Sequence, residues 1–80
     1  MMELTDLMKA IVSELVDSPE EVDIKEVETE NQIILELKVF KDDFGKVIGK
    51  SGRNISAIRT ILFAINAKKG GKKARLDVVE

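Results

Sequence analysis

The apolar positions near the start of the chain follow a helical period. They recur at intervals of three and four residues and are Leu4, Leu7, Met8, Ile11, Val12, Leu15 and Val16. Side chains with this spacing gather on one face of an α-helix, so the pattern predicts an amphipathic helix. Pro19 is expected to end that helix, because proline lacks the N–H group that a continuing helix requires.

Two strands are predicted after this helix. Residues 22–29 form the weaker one, because their apolar spacing slips by one position after Ile24, which indicates a bulge or an edge strand. Glu30 and Asn31 are expected to form a tight turn. Residues 33–39 then carry an apolar side chain at every second position, the pattern of a strand with one buried face. The apolar series of this second strand is Ile33, Leu35, Leu37 and Val39.

The second half of the chain predicts two helices and a strand. Asp42 or Asp43 is expected to cap a short helix that runs to about Ile48. The glycines of residues 49–52 (Gly-Lys-Ser-Gly) interrupt helical spacing, which then resumes. The later segments are a helix over 53–67, a basic flexible loop over 68–73 and a strand over 74–79. The apolar side of the longer helix carries Ile55, Ile58, Ile61, Leu62 and Ile65.

This order of elements, α-β-β-α-α-β, predicts an α+β fold with helices on one face of a small sheet. The 80 residues allow one domain, over 1–80, and exclude the larger folds that house most catalytic sites. The chain has no His and no Cys, which removes the commonest general base and the usual zinc ligands. We therefore expect no enzyme activity, no cofactor and no metal. No apolar run is long enough for a membrane span, so a cytoplasmic location is expected.

The net charge of −2 conceals an uneven distribution of charge. Residues 1–44 hold 4 basic and 13 acidic side chains, whereas residues 45–80 hold 9 basic and 2 acidic ones. Such asymmetry indicates a directed electrostatic face. The alternative is a solvated surface on which the charges happen to be uneven, and charge alone does not separate the two.

The glycine-containing turn at 49–52 carries the clearest chemistry. Glycine lacks a Cβ atom, so the backbone there tolerates positive φ and the close approach of a ligand. The helix that follows presents unpaired N–H groups and the positive end of its dipole. Lys50 and Arg53 add full positive charges beside it. This combination predicts an anion site that suits phosphate.

The segment from Gly45 to Ser51 also looks like a nucleotide-binding P-loop, but the pattern is one residue short. Phe44 stands where the first glycine of that pattern would be. A P-loop also follows a strand directly, whereas residues 42–48 read as a helix. The sequence disfavours a nucleotide hydrolase.

A G-x-x-G turn between two helices, with strands on both sides, resembles the KH-domain family. The likeness covers the whole chain, because a helix and a strand over about 3–29 precede a β-α-α-β core over about 31–79. That order is similar to the type II arrangement of small stand-alone bacterial KH proteins, and it implies a three-stranded mixed sheet. The residues that carry the resemblance are Val47, Ile48, Gly49, Gly52, Arg53, Ile55, Ile58 and Arg59.

The resemblance implies a non-catalytic protein that binds single-stranded RNA and grips the backbone of about four nucleotides. Gly49 and Gly52 would allow the close approach, while Lys50 and Ser51 would contact phosphate. The family also implies an RNA chaperone or a post-transcriptional regulator linked to bacterial growth or division. The RNA-binding residues that it implies are Ile48, Gly49, Lys50, Ser51, Gly52, Arg53, Ile55 and Arg59.

Several of these residues have a simpler structural interpretation. Ile48 and Ile55 would equally serve as core residues, and Arg59 as an exposed helix residue. The basic segment 68–73 is either an RNA contact or a solvated turn. An alternative function is a protein-interaction module in which the G-x-x-G turn only connects two helices. A small phosphotransfer or hydrolytic enzyme is a third possibility, which the lack of His and Cys disfavours.

The exposed apolar positions of the longer helix suggest a partner. On a helical wheel Phe63 points away from the core stripe and Ile61 lies at its edge, which indicates a contact with the first helix or with another subunit. The resemblance implies a homodimer or a heterodimer with a larger KH-containing protein. No aromatic residue lies within 49–52, so no stacking platform for bases is evident from the sequence.

Overall fold

The computed structural model describes residues 3–79 and has the predicted order of elements. Single turns of 3-10 helix lie at Pro19–Glu21, Lys41–Asp43 and Lys50–Gly52. The main elements are α1 (Leu4–Ser13), β1 (Asp23–Glu28), β2 (Gln32–Lys38), α2 (Phe44–Ile48), α3 (Arg53–Lys69) and β3 (Lys73–Val79). The order α-β-β-α-α-β is therefore confirmed.

The three strands form one mixed sheet in the order β1-β2-β3. β2 lies in the centre, antiparallel to β1 and parallel to β3, with Leu35 next to Leu76. The parallel connection from β2 to β3 passes through α2 and α3, as a parallel pair requires. The predicted α+β fold with a three-stranded mixed sheet is confirmed, and both outer strands have a free edge.

The core lies between one face of this sheet and the helices. Side chains that leave no surface to solvent come from the first helix, the second and third strands and the short second helix, and the long third helix closes the layer. Burial of each such side chain contributes about 1.5–3 kcal/mol, so this layer is the main source of stability. Its members include Met8, Val12, Leu35, Leu37, Val47, Ile58, Leu62 and Leu76.

The first helix is shorter than predicted, because α1 ends at Ser13 rather than close to Pro19. The amide groups of Glu14 and Leu15 bond to carbonyls only three residues earlier, at 3.2 and 2.9 Å, which tightens and closes the helix. Leu15 is 36% exposed in the turn that follows. The apolar spacing thus continues past the end of the helix and does not mark its boundary.

The spacing slip in the first strand marks an edge strand without a bulge. β1 pairs with β2 residue by residue from Asp23 to Glu28. Ile24 lies opposite Leu37 on the core side, whereas Val27 lies opposite Ile34 on the other face of the sheet. Because side chains alternate along a strand, the slip reflects an apolar residue on the open face. The predicted turn follows, and the amide of Thr29 donates to Gln32 O at 2.8 Å.

Asp43 occupies the N-cap position of α2, as predicted, but its side chain makes no capping hydrogen bond there. Its carboxylate faces the turn after α1 instead. It accepts hydrogen bonds from the backbone amides of Asp17 (3.2 Å) and Ser18 (3.0 Å). The ammonium group of Lys46 lies 3.7 Å from the same carboxylate. Asp43 is only 2% exposed, so it joins the α1–β1 connection to the start of α2.

The basic segment 68–73 is mostly ordered structure rather than the predicted flexible loop. α3 continues to Lys69 and β3 begins at Lys73, so the connection is 70–72. Asn66 Nδ2 donates to Lys72 O at 2.9 Å and thereby fixes this short turn. The predicted strand over 74–79 is confirmed one residue longer at its start.

Candidate nucleic-acid interface

The backbone of residues 49–52 adopts an unusual conformation. Gly49, Ser51 and Gly52 all have positive φ, at 77°, 57° and 75°. Glycine takes these values readily, but a residue with a Cβ atom does so at a cost. Ser51 is an exposed residue in the left-handed region (φ 57°, ψ 26°). Strained backbone of this kind is frequent at ligand sites.

The two glycines of this turn have different roles. A Cβ atom on Gly49 would lie 2.6 Å from Asn54 Cγ and 2.8 Å from Asn54 N. Glycine is therefore required at position 49 because any side chain there would clash with Asn54. A Cβ atom on Gly52 would meet no atom within 4 Å. Gly52 therefore has an open face, and it is the position at which a ligand has room to approach the backbone.

Asn54 joins the helices on either side of the turn, a role that was not predicted from the sequence. Its Nδ2 donates a hydrogen bond of 2.8 Å to Lys46 O, near the end of α2. Carbonyl groups in the last turn of a helix have no partner within the helix. From the start of α3, Asn54 satisfies one of these carbonyl groups and thereby fixes the angle between α2 and α3. The sequence signal that could have indicated this role is the amide side chain two residues after the second glycine.

The start of α3 offers unpaired positive groups to the turn. The N-cap residue of this 17-residue helix is Gly52, which has no side chain to cap it, and the first turn of the helix has no acidic residue. Lys50 and Arg53 are exposed and form no salt bridge with any of residues 3–79. No backbone carbonyl in the same range accepts from the amides of Lys50 or Ser51. These donors, the helix dipole and two cations together suit a phosphate group.

A shallow groove leads away from the turn along one face of α3. Ile55 forms part of its floor and is only 7% exposed, so it serves the core and the groove together. Ile48 also packs against the core but does not line this groove. The lining residues are Gly52, Ile55, Ser56, Arg59, Thr60, Phe63 and Ala64. Ser56 and Thr60 were missed, although they follow Gly52 at helical spacing.

Arg59 bridges this groove to the free edge of the sheet. Its Nε and Nη2 donate to Leu76 O at 3.1 and 3.0 Å. The guanidinium group thus covers a carbonyl that β3, as an edge strand, would leave without a protein partner. Arg59 therefore has a structural contact in addition to its predicted place beside RNA.

Charge is unevenly distributed along this surface. No Asp or Glu occurs between Phe44 and Leu76, so the turn and α3 carry only positive charges. Three of the nine basic residues of the second half form salt bridges: Lys46 with Asp17 and Asp43, Lys72 with Glu28, and Arg75 with Asp77. Lys46 and Lys72 pair with acidic residues of the first half, so the two halves intermix at these two places, whereas Arg75 pairs within the second half. The groove itself has no acidic lining.

Asp17 holds Lys46 in its charged form. The Lys46 Nζ–Asp17 Oδ2 distance is 3.3 Å. The hydrogen bond with Asp17 and the charge of that carboxylate, followed by the weaker influence of Asp43, raise the pKa of Lys46 above its ordinary value. Lys46 is thus engaged by the α1–β1 connection rather than offered to a ligand.

The two apolar positions predicted as a partner interface lie on different sides of α3. Ile61 is 41% exposed and Phe63 is 66% exposed. Two residues along a helix correspond to about 200° of rotation, so they do not share one flat surface. Phe63 borders the groove, whereas Ile61 does not. Its large exposed fraction also means that Phe63 does not pack against α1.

Residues 3–79 contain neither a membrane-spanning helix nor a candidate metal cluster. None of the helices there has the length and apolar character needed to cross a bilayer. No cluster of three or more acidic side chains in the same range is arranged to bind a metal ion.

Comparison with known proteins gives consistent matches over nearly the whole chain. The model of the KhpA/KhpB KH-domain family matches residues 5–78. A protein from Chlamydia trachomatis named RNA-binding protein KhpA is 48% identical over 77 residues, which cover 96% of this chain and 97% of that protein. A protein of the same name from Listeria monocytogenes is 44% identical over 77 residues, 96% of this chain and 100% of that protein.

Proposed function

Because this chain belongs to the KhpA/KhpB KH-domain family, we propose that it is a non-catalytic protein that binds single-stranded RNA. In this proposal residues 49–52 grip the sugar–phosphate backbone and the groove along α3 receives the bases. The relatives from Chlamydia and Listeria, which are named RNA-binding proteins, support the ligand class. We propose an RNA-chaperone or post-transcriptional regulatory role, linked to growth or division, as its use in the cell.

The conformation of the turn is the observation that carries this proposal. The open face of Gly52, the positive φ of Ser51 and the start of α3, which no side chain of its N-cap residue covers, lie next to one another and leave backbone N–H groups available there. Lys50 and Arg53 provide the charges that a polyanion requires. A phosphate bound there is held by groups that do not distinguish one base from another. Binding by the turn alone is therefore expected to depend strongly on salt and weakly on sequence.

The shape of the groove favours a single strand over a duplex. The apolar floor at Ile55 lies beside the polar side chains of Ser56 and Thr60. An unpaired base can place its flat face on such a floor and its edge against hydroxyl groups. In a duplex the bases are stacked and paired, so they cannot enter a shallow groove in this way. We infer that strand separation is the condition for tight binding.

A competition titration with the wild-type protein tests this proposal. A labelled single-stranded RNA would be titrated at about 0.1 M salt, where phosphate contacts are only partly screened, and then displaced with an unlabelled duplex of the same sequence. The proposal requires the duplex to compete at least tenfold less well than the single strand. Equal competition by the duplex, or no binding of either RNA, would show that this function is wrong.

We also propose that the chain pairs with a second copy of itself or with a larger KH-containing protein. A single module with few phosphate contacts binds weakly, and joining two such modules raises their effective concentration. The exposed side chain of Ile61, on the side of α3 away from the groove, supports a contact that leaves the groove open. Sedimentation of Ile61→Asp tests this. If Ile61→Asp has the same mass as wild type at every concentration, Ile61 takes no part in pairing.

A further inference from the structure

Phe63 has the most exposed side chain among the large hydrophobic residues of the part of the chain that is described, at 66%. It borders two neighbouring depressions at once. One is the groove that begins at Gly52. The other is formed by the end of α3 and the turn before β3, with Lys73 at its far side. Phe63 is therefore the residue over which any continuous path between the two must pass.

The length of this path exceeds what the turn alone would cover. Ten residues of helix separate Arg53 from Phe63, which corresponds to about 15 Å along the axis. The second depression continues beyond Phe63 past Asn66 and Gly70. A strand of nucleic acid held at 49–52 and lying along the groove would thus reach Phe63 after its first few nucleotides.

The charges along the path favour a polyanion as its occupant. Arg59 lies on the side of Phe63 that faces the turn, and Lys73 lies on the side that faces β3. Neither depression has an acidic lining residue. In a two-fold symmetric contact between copies, the same surface would face itself and bring like charges together. A second copy of this chain is therefore the less suitable partner for this face.

We propose that Phe63 is a base-stacking residue in an RNA path that runs from residues 49–52 to Lys73. This inference rests on the proposed function and extends it, because it adds a contact with a base to the contacts with phosphate. The flat ring of Phe63 offers a surface that every base can stack on, so the contact is tolerant of sequence. Lys73 then contacts the backbone beyond the stacked base and adds to the salt dependence.

Variants of Phe63, measured with two RNA lengths, test the path. Phe63→Leu keeps an apolar side chain but removes the aromatic face. Its affinity for an RNA of about four nucleotides is expected to stay within a factor of two of wild type. For an RNA twice as long, the expected loss is about five- to hundredfold, the range that stacking on an aromatic residue supplies. Equal affinity of Phe63→Leu and wild type for both RNAs would overturn the proposal.

A spectroscopic readout detects stacking directly. The chain has no Trp and no Tyr, so Phe63→Trp would carry the only indole in the protein. Stacking of a base on that indole is expected to quench its fluorescence as the longer RNA binds. Phe40→Trp is the matched control, because Phe40 is also exposed, at 41%, but lines neither depression. Equal quenching in both variants, or none in Phe63→Trp, would contradict the inference.

The outcomes separate this inference from the function on which it rests. If wild type binds no RNA, both the proposed function and the proposed RNA path are wrong. If wild type binds and the Phe63 variants bind equally well, the function stands and the stacking role is wrong. Sedimentation of Phe63→Leu completes the test, and an unchanged mass is expected. A lower mass, with the loss of affinity proportional to the loss of pairing, would assign Phe63 to a contact between subunits and overturn the proposal.

Discussion

Asn54 occupies the space that a side chain on Gly49 would need. The distance from a Cβ atom on Gly49 to Asn54 Cγ would be 2.6 Å, well inside ordinary contact. Asn54 Nδ2 also donates to Lys46 O at 2.8 Å. One side chain thus fits against the first glycine of the turn and holds the end of α2. The shape of residues 49–52 is fixed from within the protein, before any ligand is bound.

This relationship predicts that Gly49 and Gly45 respond in opposite ways to the same change. Gly49→Ala forces a Cβ atom into Asn54 and strains a backbone with φ 77°, so we expect a loss of about 2 kcal/mol or more in the free energy of unfolding. Gly45 lies in α2, and a Cβ atom there meets nothing within 4 Å. Gly45→Ala is expected to stabilise the protein by about 0.5–1 kcal/mol.

Urea unfolding and RNA titration of the two variants check this prediction. Gly49→Ala should also bind RNA less tightly, because the displaced Asn54 no longer sets the angle between the helices. Gly45→Ala should bind as wild type does. If both variants unfold at the same urea concentration, Asn54 does not constrain Gly49 in solution.

The buried carboxylate of Asp43 predicts a strong effect on stability. Asp43→Ala leaves the backbone amides of Asp17 and Ser18 without their acceptor. These hydrogen bonds are part-buried, and a hydrogen bond to a charged group contributes about 1.5–3 kcal/mol, so we expect a loss of about 2 kcal/mol and a Tm lower by roughly 10 °C. Asp42→Ala is the control, because Asp42 is exposed, and its effect should stay within about 0.5 kcal/mol. Equal melting temperatures of the two variants would show that the hydrogen bonds accepted by Asp43 do not stabilise the fold.

The salt bridge of Lys46 predicts a loss of stability at alkaline pH. Its pKa is raised in the folded state by Asp17, so the stabilising contribution is complete below the unfolded value of about 10.4. It is lost as the pH rises through the higher folded value. Lys46→Met lacks this contribution, and the difference in urea midpoint between wild type and variant should shrink above about pH 10.4. A difference that stays constant up to pH 11 would contradict this assignment.

The proposed contact between Arg53 and phosphate predicts that RNA binding by Arg53→Ala depends less on salt. Each phosphate contact with a single strand contributes about 0.7 to the slope of log K against log salt. Arg53→Ala should reduce the magnitude of that slope by about this amount. Lys9→Ala, on the exposed side of α1, should leave the slope unchanged. A slope that is the same for Arg53→Ala and wild type would mean that Arg53 contacts no phosphate.

The elements and their order were predictable because their signals are local. The spacing of apolar residues in β2 and α3, and the glycines at 49 and 52, depend only on neighbouring positions. Helix ends were less predictable. Leu15 and Val16 continue the apolar spacing of α1, yet the chain turns after Ser13. The amides of Glu14 and Leu15 bond to carbonyls three residues earlier and close the helix, which the apolar spacing does not reveal.

The parts that could not be predicted depend on residues far apart in the sequence. Asp43 reads as a helix cap, but its partners are 25 and 26 positions earlier. Phe63 reads as a residue without a place on the core stripe, and only the folded chain brings it between the groove and Lys73. The candidate site is indicated by a sequence motif, whereas its proposed extent depends on which face of α3 the fold leaves open.

A charge-reversal pair tests whether residues 49–52 hold RNA by its phosphates. The variant carries Lys50→Asp and Ser51→Asp and keeps both glycines, and aspartate tolerates the backbone conformation of Ser51 better than most residues. The control carries Lys9→Asp and Ala10→Asp, two exposed positions of α1 that undergo the same change in charge.

The measurement is the affinity of both variants and wild type for one labelled single-stranded RNA at about 0.1 M salt, with the helix content and Tm of each recorded beside it. We expect the Lys50 and Ser51 variant to lose at least tenfold in affinity with unchanged helix content and melting, while the Lys9 and Ala10 control binds as wild type does. If the Lys50 and Ser51 variant binds RNA as tightly as wild type, the turn is only a connection between two helices and residues 49–52 do not hold RNA.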